Sequence, residues 1–293
     1  WMVRKAAVDS LERKRMVYTA NSGMMDLRKE ICNYIQRKYQ ITYHSEHETL
    51  VTVGGSEAID LAIRAVVNPG DEVLVVEPSF VCYKPIVELM HGVAVPISTK
   101  LENRFKLTAE ELRSHITERT KLLILPYPNN PTGGIMTRKD LEAIAEVLRD
   151  TNILVLTDEI YSELTYGRKH VSIASIDGMW ERTIYVSGFS KAFAMTGWRL
   201  GYVCAPEPIA KQMLKIHQYA IMSAPTLSQY AAIVALRECD KDVQKMVEEY
   251  NVRRRMLVDG FNRIGLTCFN PEGAFYMFPC IRLSLYTSDA ADE

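Results

Sequence analysis

The chain has 293 residues, of which 47% are apolar and 24% are charged, the usual balance for a globular protein with a sizeable core. Its net charge of -1 gives no reason to expect nucleic acid or an anionic membrane as a partner. No apolar run approaches the roughly 20 residues that a membrane-spanning helix needs, and the first residues do not resemble a signal peptide. Six cysteines without a C-x-x-C pair, and histidines without metal-ligand spacing, predict reduced thiols in a cytoplasmic protein and no metal site.

Secondary-structure patterns alternate along most of the chain. The first predicted helix is Met2–Leu11, within an N-terminal segment 1–14 that we expect to be the remnant of a longer helix. The predicted strands are Thr49–Val53, Glu72–Val76, Val93–Ile97, Leu122–Leu125, Ile153–Thr157, Thr183–Ser187 and Leu200–Cys204. The predicted helices between and after them are Glu57–Val67, Tyr83–Met90, Arg138–Arg149 and Pro208–Tyr219. This alternation predicts an α/β fold with a mostly parallel sheet of seven strands and helices on both faces.

The last fifth of the chain has a different pattern. A long charged helix is predicted over Lys241–Arg263, and residues 271–276 are typical of a turn that enters a strand. We therefore expect a large domain over residues 15–250 and the incomplete beginning of a small domain over residues 251–284. Residues 285–293 break off from the strand pattern, and we expect them to be a non-native tail.

One candidate site lies where a predicted strand ends in an acid. Asp158 closes an apolar strand, and Tyr161 follows three residues later. Burial disfavours the charge of such an acid unless a positive partner is close. An ordinary helix cap or a surface aspartate would give the same local pattern.

A second candidate is a single lysine among small and aromatic residues. Lys191 is followed eight residues later by Arg199. A desolvated lysine has a lowered pKa, which makes its amine a nucleophile toward a carbonyl, and arginine offers a fork of donors to a phosphate. A lone lysine in a loop is otherwise usually exposed and inert.

Two further segments combine special backbone with polar groups. Gly54-Gly55-Ser56-Glu57 stands between a strand and a helix, where close backbone approach and free N–H groups suit a phosphate, although a plain turn would share this pattern. Asn130 lies in a loop with three prolines just beyond the strand Leu122–Leu125, and that loop could be purely structural. Ligands of open α/β sheets bind at the carboxyl ends of the strands, where all four segments fall.

Taken together, the four segments fit one ligand. Gly55, Ser56 and Arg199 suit a phosphate, and Asp158 suits a protonated ring nitrogen. Asn130 and Tyr161 suit a phenolic oxygen, and Lys191 suits an aldehyde with which it can form a Schiff base. Those groups belong to pyridoxal 5'-phosphate, so the sequence predicts this cofactor.

The motifs also carry a family resemblance. They are Y-T-A-N-S-G-M-M-D-L-R (18–28), V-G-G-S-E-A (53–58), N-N-P-T-G (129–133), D-E-I-Y (158–161) and S-K-A-F-A-M-T-G-W-R-L-G (190–201), in family order. With these motifs the chain resembles the class I/II, fold-type-I pyridoxal-phosphate-dependent aminotransferases, the group of the bacterial aspartate and aromatic amino-acid enzymes. The resemblance covers about residues 15 to 280, and the last motif is the most specific.

The resemblance implies further roles. Phe80 is expected to stack on the cofactor ring, Ser190 to bind its phosphate, and Glu57 to belong to the cofactor-binding set. Tyr18 is expected to reach the phosphate of a neighbouring subunit, which implies a homodimer with shared active sites. Lys191 is expected to be the proton-transferring catalytic residue, with Asp158 and Tyr161 beside it.

The implied reaction moves an amino group between an L-amino acid (aromatic, aspartate or broad) and a 2-oxoacid such as 2-oxoglutarate. Two alternatives share the motifs: a fold-type-I C–S lyase, and the sensor domain of an aminotransferase-like transcription regulator, which would need an upstream DNA-binding module. The family arginine that grips the substrate carboxylate belongs late in the second domain, and Arg282 precedes that position. We therefore expect the 293-residue chain to bind cofactor poorly and to turn over little, whereas a full-length parent is expected to be active.

Overall fold

The structure is a computed structural model, which describes residues 2–13 and 15–281. Its strands are β1 (Thr49–Thr52), β2 (Glu72–Glu77), β3 (Val93–Ser98), β4 (Thr120–Leu125), β5 (Leu154–Asp158), β6 (Thr183–Gly188) and β7 (Gly201–Cys204). Its α-helices are α1 (Met2–Glu12), α2 (Met25–Tyr39), α3 (Gly55–Val66), α4 (Tyr83–Leu89), α5 (Ala109–His115), α6 (Arg138–Leu148), α7 (Glu207–Ala220), α8 (Thr226–Glu238) and α9 (Asp240–Arg263). The predicted tail 285–293 lies outside the described residues.

The strands form one sheet in the order β1-β7-β6-β5-β4-β2-β3. Neighbours from β6 to β3 pair in parallel, whereas β7 is antiparallel to both β6 and β1. The prediction of a mostly parallel, seven-stranded α/β sheet is thus confirmed. Because of these directions, the carboxyl ends of β1, β2, β4, β5 and β6 meet the amino end of β7 at one edge of the sheet.

Alternating strand residues bury opposite faces of the sheet. In β2, Val73 and Val75 pack in one cluster with residues of α3, α4 and α7, whereas Leu74 and Val76 pack in another with residues of α5 and α6. A third cluster joins α2 and α8 to β6 and β7. Side chains alternate across a strand, so near-continuous apolar runs such as β2 and β4 require helices on both sides. That arrangement confirms the predicted two-sided cover.

The predicted strands match the observed ones within two residues at each end, but three helices were missed: α2, α5 and α8. The turn predicted over residues 271–276 leads into no strand in the described part of the chain, where Gly273 and Pro279 form only isolated bridges, to Thr165 and Cys268. Its backbone groups bond to loops instead: Glu272 N and Gly273 N both donate to Gly133 O, and Ala274 N donates to Leu164 O. Helix α9 runs without a break through residue 250, the predicted domain boundary.

Within the described residues, no helix has the length and apolar run needed to cross a membrane. In the same part of the chain, no group of three or more histidine, cysteine, aspartate or glutamate side chains is arranged to hold a metal ion.

Gly201 is the position where strand packing leaves no room for a side chain. It pairs with Thr52 of β1 and Gly188 of β6, and a Cβ atom there would lie 2.5 Å from Gly54 C and 2.7 Å from Gly55 N. Backbone atoms cannot yield as a flexible side chain can. We expect Gly201→Ala to lower the free energy of unfolding by about 1–3 kcal/mol, measured by urea denaturation.

Gly197→Ala is the matched control, because a Cβ at Gly197 would meet nothing within 4 Å. Its effect should stay within about 0.5 kcal/mol, as for most exposed substitutions. Equal effects of the two substitutions would contradict the packing argument.

Candidate active site

A cleft opens at the sheet edge where these strand ends meet. Its empty volume is about 810 Å³, counted with its open mouth. Nine of the eleven site residues predicted from the sequence line it: Gly55, Ser56, Phe80, Asn130, Asp158, Tyr161, Ser190, Lys191 and Arg199. The remaining lining residues are Ile59, Tyr83, Pro126, Pro128, Ile160, Thr196 and Tyr276. The structure therefore gathers segments far apart in sequence into one concave site.

Asp158 is a buried carboxylate at the end of β5. It is 7% exposed, accepts a hydrogen bond of 2.7 Å from Tyr83 Oη and accepts another of 3.2 Å from Ile160 N. Burial raises the pKa of Asp158 above its usual range, while the hydrogen bond from Tyr83 opposes that rise. No basic side chain in the described part of the chain forms an ion pair with it. Asp158 is thus poised to accept a cationic partner from a ligand.

Lys191 stands in the loop that joins β6 to β7. Three apolar residues of this loop, Phe189, Met195 and Leu200, are buried in one core cluster and fix its path. Burial, followed by the positive charge of Arg199, lowers the pKa of Lys191, and the charge of Asp158 opposes this. A larger fraction of the Lys191 amine is therefore uncharged and nucleophilic than for an exposed lysine.

Two aromatic rings lie near the Lys191 amine. Nζ lies 5.6 Å from the ring centre of Tyr161 and 5.5 Å from that of Phe275. Contacts of this kind stabilise the ammonium form modestly and hold the side chain in the cleft. The lysine is held by packing and keeps its amine available.

An anion site lies at the amino end of α3. Gly54, with φ of 83°, turns the chain from β1 into the helix, and Gly55 and Ser56 form its first turn. A Cβ at Gly54 would lie 2.6 Å from Nη2 of Arg199, so only glycine lets the guanidinium approach the turn this closely. Arg199 Nη1 also donates to Thr196 O at 3.0 Å. Backbone N–H groups and a guanidinium therefore converge as a phosphate needs.

The proline-rich loop after β4 separates the roles of two asparagines. Asn129 is buried, and its Oδ1 accepts from Thr132 N at 3.1 Å and from Thr132 Oγ1 at 2.8 Å. These bonds make Asn129 the internal brace of the loop. Asn130 is the one that faces the cleft, as the sequence predicted.

Two tyrosine side chains of the cleft contact each other through their hydroxyls. The hydroxyls of Tyr161 and Tyr276 lie 2.5 Å apart. Burial, followed by this hydrogen bond, raises the pKa of Tyr161 above its usual range, so its phenol stays protonated and can donate. Tyr276 and Tyr83 were not predicted as site residues from the sequence, although Tyr83 stands only three residues beyond Phe80.

Two predicted residues do not line the cleft. Glu57 lies in the first turn of α3, but its carboxylate accepts from Val53 N and contacts His217 Nδ1 at 2.6 Å. Tyr18 is 84% exposed, away from the cleft of its own chain.

Comparison with known proteins gives the context of this geometry. The family model for aminotransferase class I and II matches residues 2–291. A putative aminotransferase of Bacillus subtilis, YugH, is 48% identical over 100% of this chain and 76% of its own length. An aspartate aminotransferase of Pyrococcus abyssi is 41% identical over 99% of this chain and 76% of its own length.

A solved structure is similar to this chain in both sequence and fold. The aromatic aminotransferase of Pyrococcus horikoshii superposes with a TM-score of 0.94 at 40% identity, covering 96% of this chain and 76% of that one. With a family match over nearly the whole chain, and with relatives and fold in agreement, the chain belongs to the class I and II aminotransferases and is a transaminase.

Proposed function

We propose that the cleft binds pyridoxal 5'-phosphate and that the chain uses it to transfer an amino group between an L-amino acid and a 2-oxoacid. The observation that carries this proposal is that Asp158 and Lys191 line the same cleft. One is a buried carboxylate without an ion-pair partner among the described side chains, and the other is an amine with a lowered pKa. A ring nitrogen and an aldehyde on one ligand would satisfy both.

The remaining lining residues fit the rest of the cofactor. Arg199 and the first turn of α3, with Ser190, would hold the phosphate. Asn130 and Tyr161 would donate to the phenolic oxygen, and Phe80 would cover one face of the ring. Each assignment rests on a side chain that faces the cleft with suitable hydrogen-bonding or stacking groups.

When bound, the cofactor supplies an aldehyde conjugated to an electron-withdrawing ring. Asp158 would keep the proton on the ring nitrogen by its negative charge. The Lys191 amine, once free, would remove the proton from Cα of the amino acid as a base and would then deliver it, as an acid, to the aldehyde carbon of the cofactor. Tyr161 would donate a hydrogen bond, and it in turn contacts the hydroxyl of Tyr276.

For substrates, we propose an aromatic amino acid, aspartate or a broad set as donor, with 2-oxoglutarate as acceptor. The relatives support this range, since they include proteins named aspartate aminotransferase and aromatic-amino-acid aminotransferase at 38–41% identity. We place the reaction in the cytoplasm, in agreement with six cysteines that form no disulfide in the described residues.

The proposed assembly is a homodimer in which Tyr18 completes the neighbouring site. Tyr18 is 84% exposed and Val17 is 71% exposed, with Met16 also on the surface. Apolar side chains clustered on a surface favour contact with a protein partner. A tyrosine there can reach out from its own chain while it contributes nothing to its own cleft.

Covalent labelling tests the cofactor assignment. The protein is saturated with pyridoxal 5'-phosphate, reduced with borohydride and digested, and the labelled peptide is identified by mass spectrometry. We expect the label on Lys191. A label on another lysine, or none despite bound cofactor, would overturn the proposal.

A screen of amino acids coupled to 2-oxoglutarate then defines the donor. We expect glutamate to form with an aromatic or acidic donor. Release of pyruvate and ammonia from a cysteine-like substrate without any added 2-oxoacid would instead indicate a lyase.

A further inference from the structure

A buried histidine contacts a partly buried glutamate in the first turn of α3, the turn that belongs to the proposed phosphate site. His217, on α7, is 0% exposed, and its Nδ1 lies 2.6 Å from Oε1 of Glu57 on α3. In the described part of the chain, Nε2 of His217 has no hydrogen-bond partner. An unpartnered lone pair is less costly than an unpartnered N–H, so we assign the proton to Nδ1, which donates to Glu57.

The other oxygen of Glu57 binds the turn that shapes the anion site. Oε2 accepts from the backbone N–H of Val53, the residue before Gly54. The same turn is held from its other side, because Thr52 Oγ1 donates to Gly54 O at 2.9 Å. Gly54 is in turn the residue against which the Arg199 guanidinium packs. A continuous chain of contacts thus leads from His217 through Glu57 and the turn to Arg199.

We infer that Glu57 and His217 are positioning residues for the cofactor phosphate. This inference rests on the proposed function of the cleft. Glu57 holds the Val53–Gly54 turn at the start of α3, and His217 fixes the rotamer of Glu57 from α7. Neither side chain lines the cleft, so both act through the turn and the first N–H groups of the helix. Asp158 and Lys191 are absent from this chain of contacts.

Removing Glu57 or His217 should weaken the binding of the phosphate group and leave the binding of the ring and aldehyde unchanged. Removing the pair should loosen the turn and misplace the N–H groups and Arg199. Binding of pyridoxal 5'-phosphate should therefore weaken, whereas binding of pyridoxal, which has the ring and aldehyde but no phosphate, should not. A general loss of stability would weaken the binding of both ligands alike. The ratio of their affinities therefore separates a loosened turn from a general loss of stability.

The experiment measures dissociation constants for both ligands by absorbance titration in four variants. His217→Leu removes the donor, and His217→Asn offers an amide nitrogen near the position of Nδ1. Glu57→Ala removes both bonds at a partly exposed side chain and covers the case in which His217→Leu does not fold. We expect His217→Leu and Glu57→Ala to raise the dissociation constant of pyridoxal 5'-phosphate about tenfold and that of pyridoxal less than about twofold. His217→Asn should restore most of the lost affinity for pyridoxal 5'-phosphate.

His170→Gln is the matched control. His170 also forms a buried contact with a carboxylate, 2.6 Å from Nε2 to Glu159 Oε2, but that carboxylate accepts from Thr157 and Ser172 and makes no hydrogen bond to the turn at Gly54. It should leave the affinity ratio unchanged. An unchanged ratio in both His217→Leu and Glu57→Ala would overturn the inference, as would an equal loss of both ligands. If neither ligand labels Lys191 in the unmodified protein, the proposed function fails instead.

Discussion

Lys191→Ala will lower transamination by about 10⁴-fold and will abolish borohydride-stable labelling by pyridoxal 5'-phosphate, whereas binding through the phosphate persists. The reason is that Lys191 provides the only lysine amine among the cleft-lining residues of the described chain. Its lowered pKa, caused by burial and by Arg199, also suits it to the proposed role of base at the substrate Cα. The measurements are 2-oxoglutarate-coupled amino transfer and peptide mass spectrometry.

Two further variants serve as controls for Lys191→Ala. Lys106→Ala removes a partly buried lysine that pairs with Asp140 at 2.7 Å, outside the cleft, and it should keep both activity and labelling. Lys191→Arg keeps a positive charge in the cleft but cannot act as the amine. If Lys191→Arg or Lys191→Ala retained substantial amino transfer, the assignment of the base would be wrong.

The sheet was predictable from sequence because its strands are buried on both faces. Runs such as Leu122–Leu125 are apolar at every position, and nothing but a two-sided cover explains them. Of the helices that were missed, α5 is short and α8 has weak apolar periodicity. Helix α2 is as amphipathic as α9, which was predicted, so its pattern gave no physical reason to miss it. Helix α5 has a signal that could have found it: Thr108 and Glu111 form a capping box. Helix α8 begins just after Pro225, which would also have marked its start.

The cleft residues were predictable where the chemistry needs a rare residue at a strand end. Asp158 and Lys191 are examples: each alone also fits an ordinary cap or an exposed loop lysine, and only the combination of the four segments pointed to one ligand. Tyr83 and Tyr276 were not predictable in this way. Both are ordinary aromatic residues in their local sequence, and their roles depend on which hydroxyl or carboxylate tertiary packing brings within reach.

Glu57 shows the converse difficulty. Its place in the V-G-G-S-E-A motif made it a candidate for cofactor contact, but the sequence holds no sign of the partner that takes its carboxylate away from the cleft. That partner, His217, stands 160 residues later, on another helix. Local spacing determines which residues enter the first turn of a helix, whereas long-range packing decides which way their side chains turn.

The cleft combines groups that are unfavourable until a ligand arrives. Asp158 is buried without an ion pair among the described residues, and the Lys191 ammonium is disfavoured by burial and by Arg199. A ligand with a phosphate, a protonated ring nitrogen and an aldehyde would relieve each of these costs. Binding to the folded state alone then raises its stability in proportion to the logarithm of ligand concentration. Affinity and catalysis thus depend on the same buried charges.

Asp158→Asn will lower transamination by about 10³-fold, because the carboxylate charge that holds the ring-nitrogen proton is lost. In the cofactor-free protein, the same substitution will change how stability depends on pH. Burial raises the pKa of Asp158 above 3.8, so between that value and the raised one the folded state binds more protons than the unfolded state. Stability of the unmodified protein therefore falls as pH rises through this window, and the variant should lack that fall.

Urea unfolding of the cofactor-free proteins from about pH 4 to about pH 7 measures this difference, alongside amino transfer. Asp140→Asn is the control, since Asp140 forms the capping box of α6 with Thr137 and its loss should affect stability while leaving transfer intact. A parallel pH dependence in Asp158→Asn and the unmodified protein would show that the Asp158 pKa is not raised. Retained transfer in Asp158→Asn would show that the ring nitrogen needs no carboxylate. The two outcomes are independent, because the first concerns the empty cleft and the second the occupied one.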